Sequence, residues 1–323
     1  MSDDPAPPFD PELVGVLAAL SVRVPPTITP DMIGRFRSNP PDPTVGGKVE
    51  AIGAVHEQRI IPGYEHGEIE ASIFRPPTPT EPGPGILYLH GGGMIFGNRF
   101  GGVGAYLPFV AGHGAVVVAI DYRLAPEHPD PVPVEDCYGA LRWTAENASQ
   151  LGIDPSRLII AGQSAGAGLA AGVALLARAR RGPAIAGQVL VSPMLDDRDD
   201  TVSTRQIDGI GVWDRGSNAT GWTALLGERR GGDDVAAASA PGRAEHLADL
   251  PPVFLSVGSA EVFRDETVAY ASRIWAGGGD AELHVWPGGF HGFENFAPAA
   301  PLSIAAAAAR DAWLTRLLDR RPS

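Results

Sequence analysis

From about residue 52 onward, short apolar runs alternate along the chain with longer helical patterns. The runs Val55–Ile61, Ile69–Phe74, Gly85–His90, Ala115–Ile120, Leu158–Ala161, Gln188–Ser192, Val253–Val257 and Glu282–Trp286 have the length and composition of strands. Pro62-Gly63-Tyr64-Glu65-His66-Gly67 separates the first two, which predicts an antiparallel hairpin. Helical patterns at Val134–Ala148, Ala165–Arg180, Asp265–Ala276 and Ser303–Leu318 separate later ones. Such alternation predicts an α/β protein, its mostly parallel sheet covered on both faces.

Two segments stand outside this rhythm. Residues 1–50 hold a helix opening at Asp10-Pro11, with Leu13, Val16, Leu17 and Leu20 on one face, and a short helix opening at Thr29-Pro30. Residues 196–243 interrupt the strands near 190 and 255 and carry Trp213, Trp222, Leu225 and Leu226 in polar, glycine-rich sequence. The expected division is a core of residues 51–195 and 244–323, with 1–50 and 196–243 forming a cap over one edge of the sheet.

Composition narrows the class. The 323 residues are 44% hydrophobic and 20% charged, as in ordinary globular proteins. A formal net charge of −13 argues against nucleic acid or anionic membrane as partner, because phosphate binding needs clustered Lys and Arg. Cys137 is the single cysteine, so an intramolecular disulfide and a cysteine-based zinc site are both excluded. Its place in a helical pattern predicts a packed thiol. Met1–Phe9 is acidic and proline-rich, without the basic and apolar regions of a signal peptide, and no apolar run is long enough to span a bilayer. The expectation is a cytoplasmic enzyme without metal or cofactor. The oligomeric state stays open between monomer and homodimer.

The candidate chemistry centres on Gly162-Gln163-Ser164-Ala165-Gly166, between a predicted strand and a proline-free helix. A strand that turns sharply into a helix presents Ser164 at the apex, and glycine on both sides removes the Cβ atoms that would collide. A nucleophilic serine also needs a base, an acid to orient that base, and donors for an oxyanion. Downstream there are three histidines. His284 lies within a strand pattern and His246 in a connection, whereas His291 follows the last strand in the loop Pro287-Gly288-Gly289-Phe290-His291-Gly292-Phe293. His291 is therefore the candidate base. The loop after Val253–Val257 offers Glu261, Asp265 and Glu266. Glu261 is nearest the strand end and is favoured as the acid, with Asp265 its rival. His90-Gly91-Gly92-Gly93 follows another strand; the backbone N–H groups of Gly91, Gly92 and Gly93, with that of Ala165, are candidate oxyanion donors.

With Asp121-Tyr122-Arg123-Leu124-Ala125-Pro126-Glu127, Arg264-Asp265-Glu266 and His291-Gly292-Phe293, these motifs resemble the hormone-sensitive-lipase-like family of α/β-hydrolase esterases, the bacterial family IV carboxylesterases. The resemblance runs over roughly residues 50–320. It implies an eight-stranded α/β-hydrolase core, a helical cap, and metal-free ester hydrolysis through an acyl-serine. It also implies that Asp121 and Arg123 hold the oxyanion loop through buried polar contacts. The sequence departs from the family at Glu261, where aspartate is usual, and at Gln163, where aspartate commonly precedes the nucleophile.

The leading expectation is a serine carboxylesterase acting on short- to medium-chain esters, with Met94, Ile95, Phe96 and Trp213 lining the acyl pocket. An amide-directed enzyme such as an arylformamidase would use the same machinery. A non-catalytic ligand receptor on this scaffold typically lacks a triad member, whereas Ser164, His291 and an acid are all present here. An interfacial lipase calls for an exposed apolar lid, which the acidic, proline-rich N-terminal segment does not offer.

Overall fold

Among the described residues, eight strands form one sheet in the order β1-β2-β4-β3-β5-β6-β7-β8. The protein is represented by a computed structural model describing residues 4–38, 40, 42–78 and 81–319. The ends of the chain and residues 39, 41, 79 and 80 of the expected segments therefore lie outside the described residues.

In chain order the elements are α1 (Pro11–Ser21), α2 (Ile33–Arg37), α3 (Thr44–Ala51), β1 (Val55–Pro62), β2 (Glu68–Arg75), β3 (Gly83–Leu89), α4 (Leu107–His113) and β4 (Val116–Asp121). Then come α5 (Val132–Glu146), α6 (Ala148–Leu151), β5 (Ile153–Gln163), α7 (Ala165–Arg180), β6 (Gly187–Val191), α8 (Val202–Gln206) and α9 (Arg215–Leu226). The chain finishes with β7 (Val253–Gly258), α10 (Arg264–Ala276), β8 (Ala281–Trp286), α11 (Phe293–Phe296) and α12 (Pro301–Asp319).

The expected hairpin is β1–β2, paired in register from Val55 opposite Arg75 to Pro62 opposite Glu68. β2 also runs antiparallel to β4, and every pairing from β4 through β8 is parallel. Burial follows position. β3, β6 and β7 are buried at every residue, as central parallel strands covered on both faces must be. Edge strand β1 instead alternates between half-buried and exposed positions over most of its length.

Successive side chains of the central strands feed opposite layers. Leu87, Leu89, Ile160 and Leu190 join Val134 and Leu141 of α5 and Leu169 and Val173 of α7. Ile86, Tyr88, Ile159 and Val189 join Phe109 of α4 and Trp313 and Leu314 of α12. Cys137 is buried in the first of these layers.

The two irregular segments meet each other. Thr27 Oγ1 donates to Asp214 Oδ2 at 2.5 Å, and the Ile28 N–H donates to Ser217 Oγ at 2.8 Å. α1 begins where Asp10 caps it by accepting from the Glu12 N–H at 2.8 Å. Its Leu13 is buried among Phe290, Phe293 and Val212. The Asp10 N–H donates to the Gly288 carbonyl at 3.0 Å, tying the N-terminal segment to the histidine loop. α3 packs elsewhere, its Val45 buried in the layer that holds Phe74 and Val103. Among the described residues no helix is long and apolar enough to cross a membrane.

Candidate active site

Ser164 stands between β5 and α7 with φ 55° and ψ −121°, a conformation that costs a non-glycine residue about 1–3 kcal/mol. Backbone bonds hold it there from both sides. Its N–H donates to Val191 O at 2.8 Å, and its carbonyl accepts from the N–H groups of Ala167 (3.0 Å), Gly168 (3.0 Å) and Met194 (3.1 Å). Glycine is required around it on steric grounds. A Cβ at Gly162 would lie 2.3 Å from Gly166 O, and one at Gly166 would lie 2.1 Å from Leu89 O.

The loop after β8 carries His291 to the serine. Its Nε2 lies 3.0 Å from Ser164 Oγ, and its Nδ1 lies 3.1 Å from Glu261 Oε2. A carboxylate only accepts, so Nδ1 bears the hydrogen and Nε2 is left as the acceptor for the serine hydroxyl. Glu261 has no exposed surface, and His291 retains 9%. The Phe263 ring meets the imidazole edge-on at 5.2 Å between centroids and walls its flank.

Asp265 lies apart from the histidine contact. Its Oδ2 accepts from the Ser203 N–H at 2.7 Å and its Oδ1 from Arg264 Nε at 2.7 Å, joining α10 to α8. Burial works against its charge, yet Arg264 and Ser203 together hold its carboxyl below the usual value. Glu266 is buried beside it and accepts from the Leu195 N–H at 2.6 Å. Burial pushes its carboxyl well up, and the Asp196 and Asp199 charges add to that. The other two histidines are also elsewhere. His284 is half-buried on β8, 2.9 Å from Glu282, and His246 is exposed.

The glycine loop after β3 lies against the serine, for a Cβ at Gly91 would stand 3.3 Å from Ser164 Cβ. Gly92 and Gly93 have φ of 121° and 61°. Among the described residues, no protein acceptor is bonded to the backbone N–H groups of Gly92, Gly93 and Ala165. His90 anchors the loop's start: its ring stacks on Tyr122 at 4.3 Å, with Nδ1 2.7 Å from Gly91 O. Burial pushes its imidazole below the usual value, which favours a neutral ring.

The expected pair Asp121 and Arg123 divides its work. Asp121 accepts from the Arg99 guanidinium and from the Arg99 N–H, and so pins the far end of the loop. Arg123 does not reach the loop. It is drawn to the fully buried carboxylate of Asp136 on α5, at 2.7 and 2.9 Å, and to Tyr64 O at 2.8 Å. The loop's second anchor is Arg37, for which the sequence offers no local signal. It donates to Ile95 O at 2.7 Å and Ala125 O at 2.6 Å, with Glu127 pairing its guanidinium at 2.8 Å.

Met94 and Ile95 are fully buried in the core layer next to α5 and α7. Phe96 is partly buried, stacked on Phe36 at 5.2 Å and edge-on to Trp213 at 6.2 Å. Trp213 in turn covers Gly93, where a Cβ would lie 2.1 Å from its Cη2.

Fold and site define a class. A family model described as the alpha/beta hydrolase fold matches residues 86–295. Esterase LipI of Mycobacterium tuberculosis is 36% identical over 242 residues, covering 74% of this chain and 75% of its own length. Carboxylesterase NlhH of the same species is 34% identical over 279 residues, with 81% and 82% covered. The solved structure of a bacterial heroin esterase aligns with a TM-score of 0.86 at 35% identity, over 97% of this chain and 98% of that one. The chain belongs to the hormone-sensitive-lipase-like family of the α/β-hydrolase fold, and it is a carboxylic-ester hydrolase.

Proposed function

We propose that Ser164 is the nucleophile, His291 the general base and then acid, and Glu261 the carboxylate that orients His291, in an enzyme that cleaves short- to medium-chain carboxylic esters. The reading rests above all on the chain of contacts Ser164 Oγ–His291 Nε2–His291 Nδ1–Glu261 Oε2, at 3.0 and 3.1 Å. Oγ attacks the ester carbonyl carbon as its proton passes to Nε2, and the carbonyl π pair moves onto oxygen. That oxyanion is received by the N–H groups of Gly92, Gly93 and Ala165, with Gly91 shaping the approach; each donor contributes about 3–4 kcal/mol in comparable sites. Collapse re-forms the carbonyl and breaks the bond to the alcohol oxygen, which takes the proton from Nε2. Water then repeats the sequence on the acyl-serine.

The wall formed by Phe36, Phe96 and Trp213 beside Gly93 supports a limited acyl chain, since the aromatic rings already fill space next to the oxyanion loop. We read residues 1–50 and 196–243 as the cap, which contributes Phe36 and Trp213 to this wall. The proposed compartment is the cytoplasm, supported by a single buried thiol. The proposed assembly is a monomer or a homodimer. A series of p-nitrophenyl esters from acetate to dodecanoate tests the reading. Turnover should peak among the short to medium chains and vanish in Ser164→Ala. Full activity in that variant would overturn the mechanism.

A further inference from the structure

Ser164 and His291 arrive on different loops, and their geometry depends on how those loops are held together. Gln163, the last residue of β5, touches three parts of the site. Its backbone carbonyl faces Gly91, where a Cβ would come within 3.1 Å of it. Its side-chain Oε1 accepts from Asn295 Nδ2 at 2.6 Å. Its Nε2 lies toward Gly292, 3.9 Å from where a Cβ would stand. Asn295 is in α11, one turn after His291, and that turn is closed by the Asn295 N–H on Gly292 O at 2.9 Å. Among the described residues, Gln163–Asn295 is the one side-chain hydrogen bond between these two segments besides Ser164–His291 itself.

We propose that Gln163 and Asn295 form an uncharged clamp that sets the distance from His291 to Ser164, both acting as positioning residues. The proposal rests on the triad reading above. Absence of charge matters as much as the bond. A carboxylate at either position would also hold its partner, but it would favour the protonated imidazole and delay the appearance of the free base as pH rises. His291 contacts the carboxyl of Glu261 from the loop after β7, and it interacts electrostatically with Glu294 of α11, as does Arg310 of α12. The amide pair holds the loops without adding a further negative charge beside the Glu261 carboxylate.

The test is the steady-state kinetics of the full-length enzyme on p-nitrophenyl butyrate from pH 5 to 9, with active sites counted by the acyl burst. Asn295→Ala and Gln163→Ala should each lower kcat per active site about three- to tenfold, the range for one lost hydrogen bond, with KM little changed. The double variant should be no worse than either single one, because both remove the same bond. Gln163→Glu keeps the acceptor. It should therefore retain kcat at high pH while the acid limb of kcat/KM moves up by about half a unit or more, a shift that a purely structural role does not produce.

Wild-type kcat in Asn295→Ala would overturn the clamp. Additive losses in the double variant would overturn the pairing. An unmoved acid limb in active Gln163→Glu would overturn the role of neutrality. Ser164→Ala, run alongside, separates the two readings: if it still turns over, the triad assignment fails; if it is dead and Asn295→Ala is unaffected, the clamp alone fails.

Discussion

Replacing Glu261 by glutamine preserves the size of the side chain and removes its charge. The carboxylate lies 3.1 Å from His291 Nδ1 with no exposed surface, so little water screens it. In the transition state the imidazole is cationic, with charge centres about 4 Å apart. At an effective dielectric near 20 the attraction is about 4 kcal/mol, which corresponds to roughly a thousandfold in rate. Glutamine can also turn its N–H toward Nδ1 and stabilise the wrong tautomer, which adds to the loss. Asp265→Asn should behave differently, because its oxygens serve Ser203 and Arg264. It should lower the melting temperature by a few degrees, in keeping with about 1–2 kcal/mol of lost hydrogen bonding, and leave kcat within about tenfold. Burst and steady-state hydrolysis of p-nitrophenyl butyrate at pH 8 distinguishes them. A thousandfold loss in Asp265→Asn beside a nearly active Glu261→Gln would refute the assignment.

Three further outcomes can be measured. In Gly93→Ala the new Cβ would be 2.1 Å from Trp213 Cη2 at φ 61°, so hydrolysis should fall at least about tenfold and Trp fluorescence should shift; an unaltered enzyme would contradict the placement of Trp213 over the oxyanion loop. Arg37→Ala removes donors from Ile95 O and Ala125 O and should cost about 1–3 kcal/mol of stability together with kcat, and Arg37→Lys should not restore both, since lysine lacks the planar fork. Burial pushes the Glu294 carboxyl from its usual 4.5 up to about 7, with the Glu261 charge adding to the effect. The folded protein thus holds this proton more tightly than the unfolded chain, so the group's contribution is most favourable below pH 4.5, is lost as pH rises toward 7, and then levels off. Glu294→Gln should flatten that decline in melting temperature, and an unchanged slope would count against the buried carboxyl.

The core was legible because its signals are local. Short, mainly apolar runs such as Ile86–Leu89 and Val253–Val257 became the parallel strands β3 and β7, and the glycines flanking Ser164 marked the turn. His291 could be separated from His284 because one follows a strand and the other lies within it. The strand expected at Leu158–Ala161 begins earlier, at Ile153, because Gly83 of β3 pairs with Ile153 across an irregularity that periodicity does not reveal.

Less readable were α8 and α9, although each has a capping signal: Thr201 accepts from the Thr204 N–H and Asp214 from the Ser217 N–H. Arg37 carries no such mark. Its three carbonyl and carboxylate partners lie at residues 95, 125 and 127, and only the folded chain brings them together. For Arg123 the family resemblance pointed to the wrong neighbour, because its guanidinium is taken by the buried carboxylate of Asp136 and by Tyr64 O.

The four backbone hydrogen bonds that grip Ser164 make the location of its Cβ a property of the main chain, leaving one rotation to aim Oγ at His291. The elbow is in effect a socket that holds the stem of residue 164 whatever atom that stem carries. Cysteine in that socket would set a sulfur within reach of the same imidazole. Aiming the nucleophile is thus the work of the fold, and the kind of atom aimed is the one part of the elbow left to the side chain.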